Sequence, residues 1–289
     1  MAFIFRHPGV EDYFETLDCN QSSSTLGKSA TQLYEASKAV VLKNLKIECD
    51  REFLANLHFD NAVKGNKKFK SLAFANNYQS DGNEYAELLA NTFGGDRRKL
   101  KQFGQLVSSV NEQVLGITGK LFPGYRVNRP SITWRLTDTI NENLHLDVYK
   151  EDLPDHHVRL FFNLDVVPRI WHTSHTLEHM LASSLHELKP DLIRSGTAGR
   201  ICHALNFAAF KGFEVAGREG ADKHIVFFDP GEVWFVDSRK VAHQIFYGRK
   251  ALSTEHQVAP ASMDNPALHY FEIVERHRRR LLDDGGLAQ

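Results

Sequence analysis

Cysteine is scarce. Cys19, Cys49 and Cys202 are the only three in 289 residues, they lie far apart, and none belongs to a CxxC pair. That usage excludes a disulfide framework and a thiolate zinc site. It favours a reducing compartment, so a cytoplasmic location is expected. Long apolar runs are also missing. No stretch approaches the ~20 apolar residues of a membrane span, and the opening Met1-Ala-Phe-Ile-Phe-Arg-His-Pro lacks the apolar region of a secretion signal. Charge of one sign is missing as well: 35 Lys and Arg stand against 36 Asp and Glu, for a formal charge of -1. No nucleic-acid partner is therefore expected, and any argument about ligands rests on local charge. There is no internal repeat, and the short Ser run at 22–24 reads as a loop. No boundary divides the chain, so residues 1–289 are expected to form one domain.

Histidine, by contrast, is plentiful. Fifteen are present, several of them between residues 145 and 186.

The first part of the chain reads as helical. Residues 28–45 place Leu33, Ala36, Ala39, Val40 and Leu42 on one stripe, and a short helix is expected over 50–57. The strongest helix is 97–121, whose Leu100, Phe103, Leu106, Val107, Val110, Val114 and Ile117 recur at three- and four-residue spacing before Pro123-Gly124 stops it. After residue 130 the texture changes to short β-branched and aromatic runs separated by turn residues. Strands are predicted at 131–136, 143–149, 158–164, 169–172, 224–228, 232–237 and 243–246, with helices at 175–188, 199–211 and 266–283. This order predicts an α+β fold built on a jelly roll, a double-stranded β-helix of the cupin-like kind. Its parts would be a helix-rich segment (1–125), a β core with a helical insertion (126–262) and a basic C-terminal helix (263–289).

His145-Leu146-Asp147 lies in a strand-like run. Residues i and i+2 project from the same face of a strand, so both side chains can reach one point. Downstream, Phe228-Asp229-Pro230-Gly231-Glu232-Val233-Trp234-Phe235 reads as a turn into an aromatic strand, followed shortly by His243. An HxD pair and a later strand-borne His form the pattern of a 2-His-1-carboxylate triad, which holds Fe(II) and leaves one face open. The metal ligands read from the sequence are thus His145, Asp147 and His243; the bland alternative is a His beside a solvated Asp. Iron oxygenases of this type commonly use 2-oxoglutarate and O2, and the distal carboxylate of 2-oxoglutarate needs a cation, best an Arg. In many such enzymes that Arg lies a short way past the second His. Here the position is Ser253, and the nearest Arg is Arg249. Arg159 opens the next apolar strand after HxD, and alternation places Arg159, Phe161 and Asn163 on one face. Arg159 is therefore preferred as the carboxylate anchor, with Asn163 beside it and Arg249 as the alternative.

From His145 to Trp171 the chain resembles the Kdo hydroxylases, Fe(II)/2-oxoglutarate dioxygenases that act on 3-deoxy-D-manno-oct-2-ulosonic acid in lipopolysaccharide precursors. The resemblance is carried by Asn143-Leu-His145-Leu-Asp147, Arg159-Leu-Phe-Phe-Asn163-Leu and Pro168-Arg169-Ile-Trp171. It continues through Phe228–Phe235 and Ala242-His243, and covers about half the chain. It departs at Tyr149 and the 150–157 loop. The family likeness implies a dioxygenase that uses Fe(II), 2-oxoglutarate and O2 to hydroxylate a C–H bond of a small or lipid-linked acidic sugar. The same chemistry on an amino acid or natural product, and a cupin-like binding protein without turnover, are the competing readings.

Three further features invite a reading. His175-Thr-Leu-Glu178-His179 matches HxxEH, the inverted zinc-protease motif, on a predicted helix; the plainer reading is a solvated helix face. Lys64, Lys67, Lys68 and Lys70, with Arg126, Arg129 and Arg135, are basic residues that an acidic sugar could pair with. Arg276-His-Arg-Arg-Arg280 suits peripheral contact with an anionic membrane, or simply complements a helix C-terminus. Trp134 and Trp171 read as core aromatics, with lining of the pocket as the alternative. Nothing in the pattern sets an oligomeric state.

Overall fold

The computed structural model describes residues 2–60, 68–72, 89, 92–148, 155–210 and 220–283. Lys64, Lys67, Tyr149 and most of the 150–157 loop lie outside them. Fifteen strands are described: β1 (Phe3–Phe5), β2 (Phe14–Asp18), β3 (Ala39–Lys43), β4 (Phe69–Lys70), β5 (Val127–Arg129), β6 (Ile132–Arg135), β7 (Thr139–Ile140), β8 (His156–Val158), β9 (Leu160–Asn163), β10 (Arg169–Thr176), β11 (His224–Phe228), β12 (Val233–Phe235), β13 (Val241–Gly248), β14 (Ala251–Thr254) and β15 (His256–Val258). The α-helices with described bounds are α1 (Ser23–Glu35), α2 (Arg51–Ala55), α3 (Arg97–Leu121), α4 (Leu177–Ser184), α5 (Pro190–Ser195), α6 (Ala198–Phe210) and α7 (Tyr270–Asp283).

Two sheets organise the molecule. One runs β1-β11-β10-β13-β7 and the other β2-β3-β12-β9-β14-β6-β4; a small third sheet runs β5-β15-β8. Only β2 and β3 pair in parallel; the other described pairings are antiparallel. The large sheets share an apolar interior made by Phe161 and Trp234 from one and Trp171, Val226, Phe228 and Ile245 from the other. Phe228 stacks on Trp234 at 3.7 Å and Trp171 meets Trp234 edge-on at 5.2 Å. Such pairs add about 0.5–1.5 kcal/mol each beyond area burial. The N-terminal part is more than a helical preface, because β1 joins one large sheet while β2, β3 and β4 join the other.

Local chemistry explains most boundaries. Asp96 caps α3 by accepting from the Arg98 and Lys99 amides at 2.9 and 3.1 Å. The α3 stripe packs against Tyr34, Phe69 and Trp134 in the largest core cluster. The Pro230-Gly231 turn is present, with Gly231 at positive φ, where a side chain would strain the backbone.

Four expectations need correction. The Ser run at 22–24 is no loop: Ser22 caps α1 by accepting from the Thr25 amide at 3.5 Å, and Ser23 and Ser24 open the helix. The helix predicted over 28–45 ends at Glu35: Ser37 turns the chain through a positive φ, and the valine-centred Ala39-Val-Val-Leu run becomes β3 beside β2. The strand predicted at 143–149 shrinks to one bridge, His145 with His243. The helix predicted from 175 begins at Leu177, because β10 continues through Thr176, whose hydroxyl then caps α4 by accepting from the His179 amide.

A candidate metal centre in a cationic cleft

His243 sits mid-strand in β13, opposite Thr173 of β10. Its amide donates to the His145 carbonyl at 2.9 Å, and the His145 amide returns a bond at 3.0 Å. Two residues on, the Asp147 amide donates to the Ser238 carbonyl at 2.8 Å. This short ladder replaces the missing strand and brings His145 and Asp147 up to His243. One ligand atom from each of the three side chains lies within 4.8 Å of the other two.

The surroundings leave the right atoms available. Nδ1–H of His243 donates to the Val241 carbonyl at 3.2 Å, and Nδ1–H of His145 donates to the Asn143 carbonyl. A His that donates through one nitrogen offers the other to a metal, here Nε2 in both rings. Asp147 divides its oxygens: Oδ2 accepts from the Ser238 hydroxyl at 2.6 Å and from Arg159 Nη1 at 3.2 Å, while Oδ1 faces His145 Nε2 at 3.4 Å. Trp171 stacks on His243 at 5.3 Å and fixes the ring plane. Burial alone would raise the Asp147 pKa, but the Arg159 guanidinium and the His145 contact hold it well below the usual carboxylate range. Burial pushes His243 down to about 4, so it is neutral near pH 7. Burial would lower His145 too, yet the Asp147 carboxylate beside Nε2 raises it above the usual histidine value. A cation arriving at that nitrogen displaces the proton that Asp147 attracts there. A charged carboxylate, a neutral imidazole and a second imidazole drawn toward the carboxylate make a donor set that fits Fe(II).

The triad opens into a cleft whose charged lining is mainly cationic. Lys68, Lys70, Arg135, Arg159 and Arg169 face Glu142, Asp147 and Glu255 there, an excess of positive charge that suits an anionic occupant. Arg169 stands out. It is 3% exposed, and its Nη1 has no hydrogen-bond partner among the described residues. Thr133 Oγ1 and the indole nitrogens of Trp171 and Trp234, all from cleft-lining residues, are buried and unpaired in the same sense. Native proteins seldom bury unpaired donors, since each costs ~1–3 kcal/mol. Gly248 on β13 makes room for Arg169: a Cβ there would collide with Nη1 and lie 3.0 Å from Cγ. Burial also lowers the Arg169 pKa to about 9.

The remaining sequence-predicted residues divide. Arg159 lines the cleft, but it is engaged with Asp147 and, at 3.8 Å, with Glu255. Asn163 is not in the cleft; its amide group donates to the carbonyls of Val167, Phe228 and Asp229 at 2.9–3.2 Å and ties two turns together. Arg249 is held in a fork by Asp165, at 2.6 and 2.8 Å, also away from the cleft. Ser238 and Arg169 were not singled out in the sequence. Arg169 carried the same signal as Arg159, a charged residue opening an apolar strand; Ser238 carried none.

The HxxEH reading fails on geometry. His175 still lies in β10 and only His179 is helical, while Glu178 turns away to Arg276 and to His277 at 2.7 Å. Those contacts, with Arg278 on the Gly196 carbonyl at 2.8 Å, also employ much of the C-terminal basic run within the protein, leaving Arg279 and Arg280 exposed. Among the described residues no helix is long and apolar enough to cross a membrane.

No family model and no curated protein matches the chain. Solved structures do. The apo structure of the Kdo hydroxylase KdoO, described as a non-haem Fe(II) α-ketoglutarate-dependent dioxygenase, superposes with a TM-score of 0.68 at 16% identity, over 91% of this chain and 95% of that one. KdoO with succinate and Fe(III) gives 0.68 at 16% identity over 92% and 95%, and KdoO with α-ketoglutarate and Fe(III) gives 0.67 at 16% over 91% and 95%. Across nearly its whole length, this chain has the fold of the Kdo hydroxylase KdoO.

Proposed function

We propose that the protein is a single-domain Fe(II)/2-oxoglutarate-dependent dioxygenase that hydroxylates a C–H bond of an acidic sugar of the Kdo type. The observation that carries this reading is the coincidence, in one cleft, of a 2-His-1-carboxylate cluster and a buried, unpaired guanidinium nitrogen. The sheet orders β6-β14-β9-β12 and β7-β13-β10-β11 support the double-stranded β-helix expected from the sequence. The KdoO complexes with Fe(III), succinate and α-ketoglutarate support the same ligands here.

His145, Asp147 and His243 would hold Fe(II). Bound together, Fe(II), 2-oxoglutarate and O2 supply the oxidation of a C–H bond to an alcohol, with release of succinate and CO2. The chain's own contribution is positioning. Arg159 and Ser238 occupy Asp147 Oδ2 and leave Oδ1, on the His145 side, for the ion these residues would hold. The carbonyls of Asn143 and Val241 fix both His tautomers. We assign the distal carboxylate of 2-oxoglutarate to Arg169 rather than to Arg159, because the Arg159 charge already compensates a metal-site carboxylate whereas Arg169 Nη1 awaits an acceptor. Thr133 can add a hydroxyl to the same carboxylate. Trp171, Trp234 and Phe161 form a dry wall that keeps water from the reacting centre. Lys68, Lys70 and Arg135, the last paired with Glu142 at 3.3 Å, add positive charge to the lining that an acidic substrate would meet. That cationic character favours a sugar acid over a neutral natural product.

Two assays test the proposal. Purified protein with Fe(II), O2 and 2-oxoglutarate should form succinate without added substrate; no turnover would leave a cupin-like binding protein. Mass spectrometry of lipopolysaccharide from cells expressing the protein should show one added oxygen on Kdo; succinate formation without that product would move the substrate to another small acid.

A further inference from the structure

The residues of the discarded HxxEH motif do meet, but on a different partner. Glu11, in the segment before β2, reaches the junction of β10 and α4. Its Oε2 lies 2.7 Å from His175 Nδ1, and its Oε1 lies 3.5 Å from His179 Nδ1. The two imidazoles stack in parallel, 4.0 Å apart with 7° between planes. Ligand atoms of all three side chains fall within 4.8 Å of one another. The carboxylate is held from behind: the Thr176 hydroxyl donates to Oε1 at 2.8 Å and the Thr176 amide at 3.3 Å, while His224 Nε2 donates to the Glu11 carbonyl at 3.0 Å. Oε2 accepts a hydrogen bond from His175 Nδ1–H, whose proton a bound ion would replace. None of the three residues lines the iron cleft.

We propose that Glu11, His175 and His179 form a second metal site, one that takes a divalent ion of the zinc class. Two imidazoles and a carboxylate are a common zinc donor set, with water completing the tetrahedron. The absence of a thiolate and the presence of two nitrogen donors disfavour Cu(I) on one side and Ca2+ or Mg2+ on the other. Side-chain exposures of 21–45% leave the site open to an incoming ion and to its water. Thr176 and His224 supply the outer hydrogen bonds that hold a metal-binding carboxylate in place. The ion would fasten the N-terminal segment to β10, the strand that pairs with β13 and so borders His243. Its role is structural, and it stands independently of the proposed oxygenase reaction.

The test is metal stoichiometry on the full chain, by competition with a chromophoric zinc chelator. The unmodified protein should bind two Zn2+ equivalents. His179→Ala, a change at a half-exposed position, should lose one while His243→Ala loses the other, with far-UV circular dichroism unchanged. Added Zn2+ should raise Tm in His243→Ala and not in His243→Ala/His179→Ala. His175→Gln, which keeps side-chain bulk, should weaken the second equivalent by tenfold or more. Two equivalents retained in folded His179→Ala and His175→Gln, or a single equivalent in the unmodified protein that only His243→Ala removes, would overturn the site. A single equivalent lost on His179→Ala would support it and count against the iron cluster instead.

Discussion

Two clusters in this protein share one recipe, two histidines and a carboxylate, and β10 borders both. At its start β10 supplies Arg169 and Trp171 to the cleft around His145, Asp147 and His243. At its end it supplies His175 to the cluster with Glu11 and His179. What separates them is the surroundings. The first cluster has a carboxylate divided between Arg159, Ser238 and an available oxygen, a stacked indole, and a cleft with unpaired buried donors. The second has a carboxylate held by Thr176, parallel imidazoles and solvent. The ligand set tells where a metal can bind; the unpaired groups around it tell whether a reaction can follow.

The comparison is broken most sharply by deleting a ligand on each side. His243→Ala should abolish 2-oxoglutarate turnover in a succinate assay, whereas His179→Ala should keep it within about twofold, the scale of a surface change remote from the site. Equal losses would erase the distinction. Next in size is the division of labour between the two arginines. Arg169→Ala removes a charge-assisted bond worth ~1.5–3 kcal/mol, so the 2-oxoglutarate KM should rise roughly 10- to 100-fold with little change in Fe(II) affinity. Arg159→Ala should do the reverse, weakening Fe(II) by roughly tenfold through Asp147. The opposite pattern in a two-ligand titration would return the anchor to Arg159. Gly248→Ala should act as a milder Arg169 variant, because its Cβ displaces the guanidinium; an unchanged KM would show that the guanidinium position is unimportant.

The last expectation concerns folding and leaves the metal ligands out. His256 and His269 are buried away from the metal ligands, and burial lowers each to about 4. The unfolded chain takes up protons near the ordinary histidine pKa of about 6.5, while the folded chain excludes them until about pH 4. Stability should therefore fall as pH drops through that window, by about 1.4 kcal/mol per pH unit for each His. Urea midpoints measured from pH 7 to pH 4.5 check the slope. A flat profile would show that these rings protonate without cost.

Much of this was legible in the sequence, and the failures are instructive. The long helix and the Pro-Gly turn were readable because each has a local signature, a stripe and a turn residue; the HxD pair was picked out by an alternation whose strand is reduced to one bridge, and it is the backbone ladder to His243 that brings the three side chains together. The break at Ser37 was not readable, because Ala39-Val-Val-Leu suits a helix stripe and a strand alike, and β2 decides between them. Arg169 did not enter the choice between Arg159 and Arg249, because local pattern does not separate it from Arg159. Both open apolar strands, and only the fold shows that one meets Asp147 while the other keeps a buried nitrogen without an acceptor among the described residues. Glu11 lies near the start of the chain and His179 well past its middle, so no spacing rule could have joined them.

The most direct test of the oxygenase account is an anaerobic titration of 2-oxoglutarate into the Fe(II)-loaded protein, followed by visible absorption. Chelation of Fe(II) by a 2-oxo acid gives a charge-transfer band that neither component shows alone. The account predicts a saturable band in the unmodified protein, its loss in His243→Ala, and saturation only at higher 2-oxoglutarate in Arg169→Ala. No band in the unmodified protein, or one that survives His243→Ala unchanged, would contradict it.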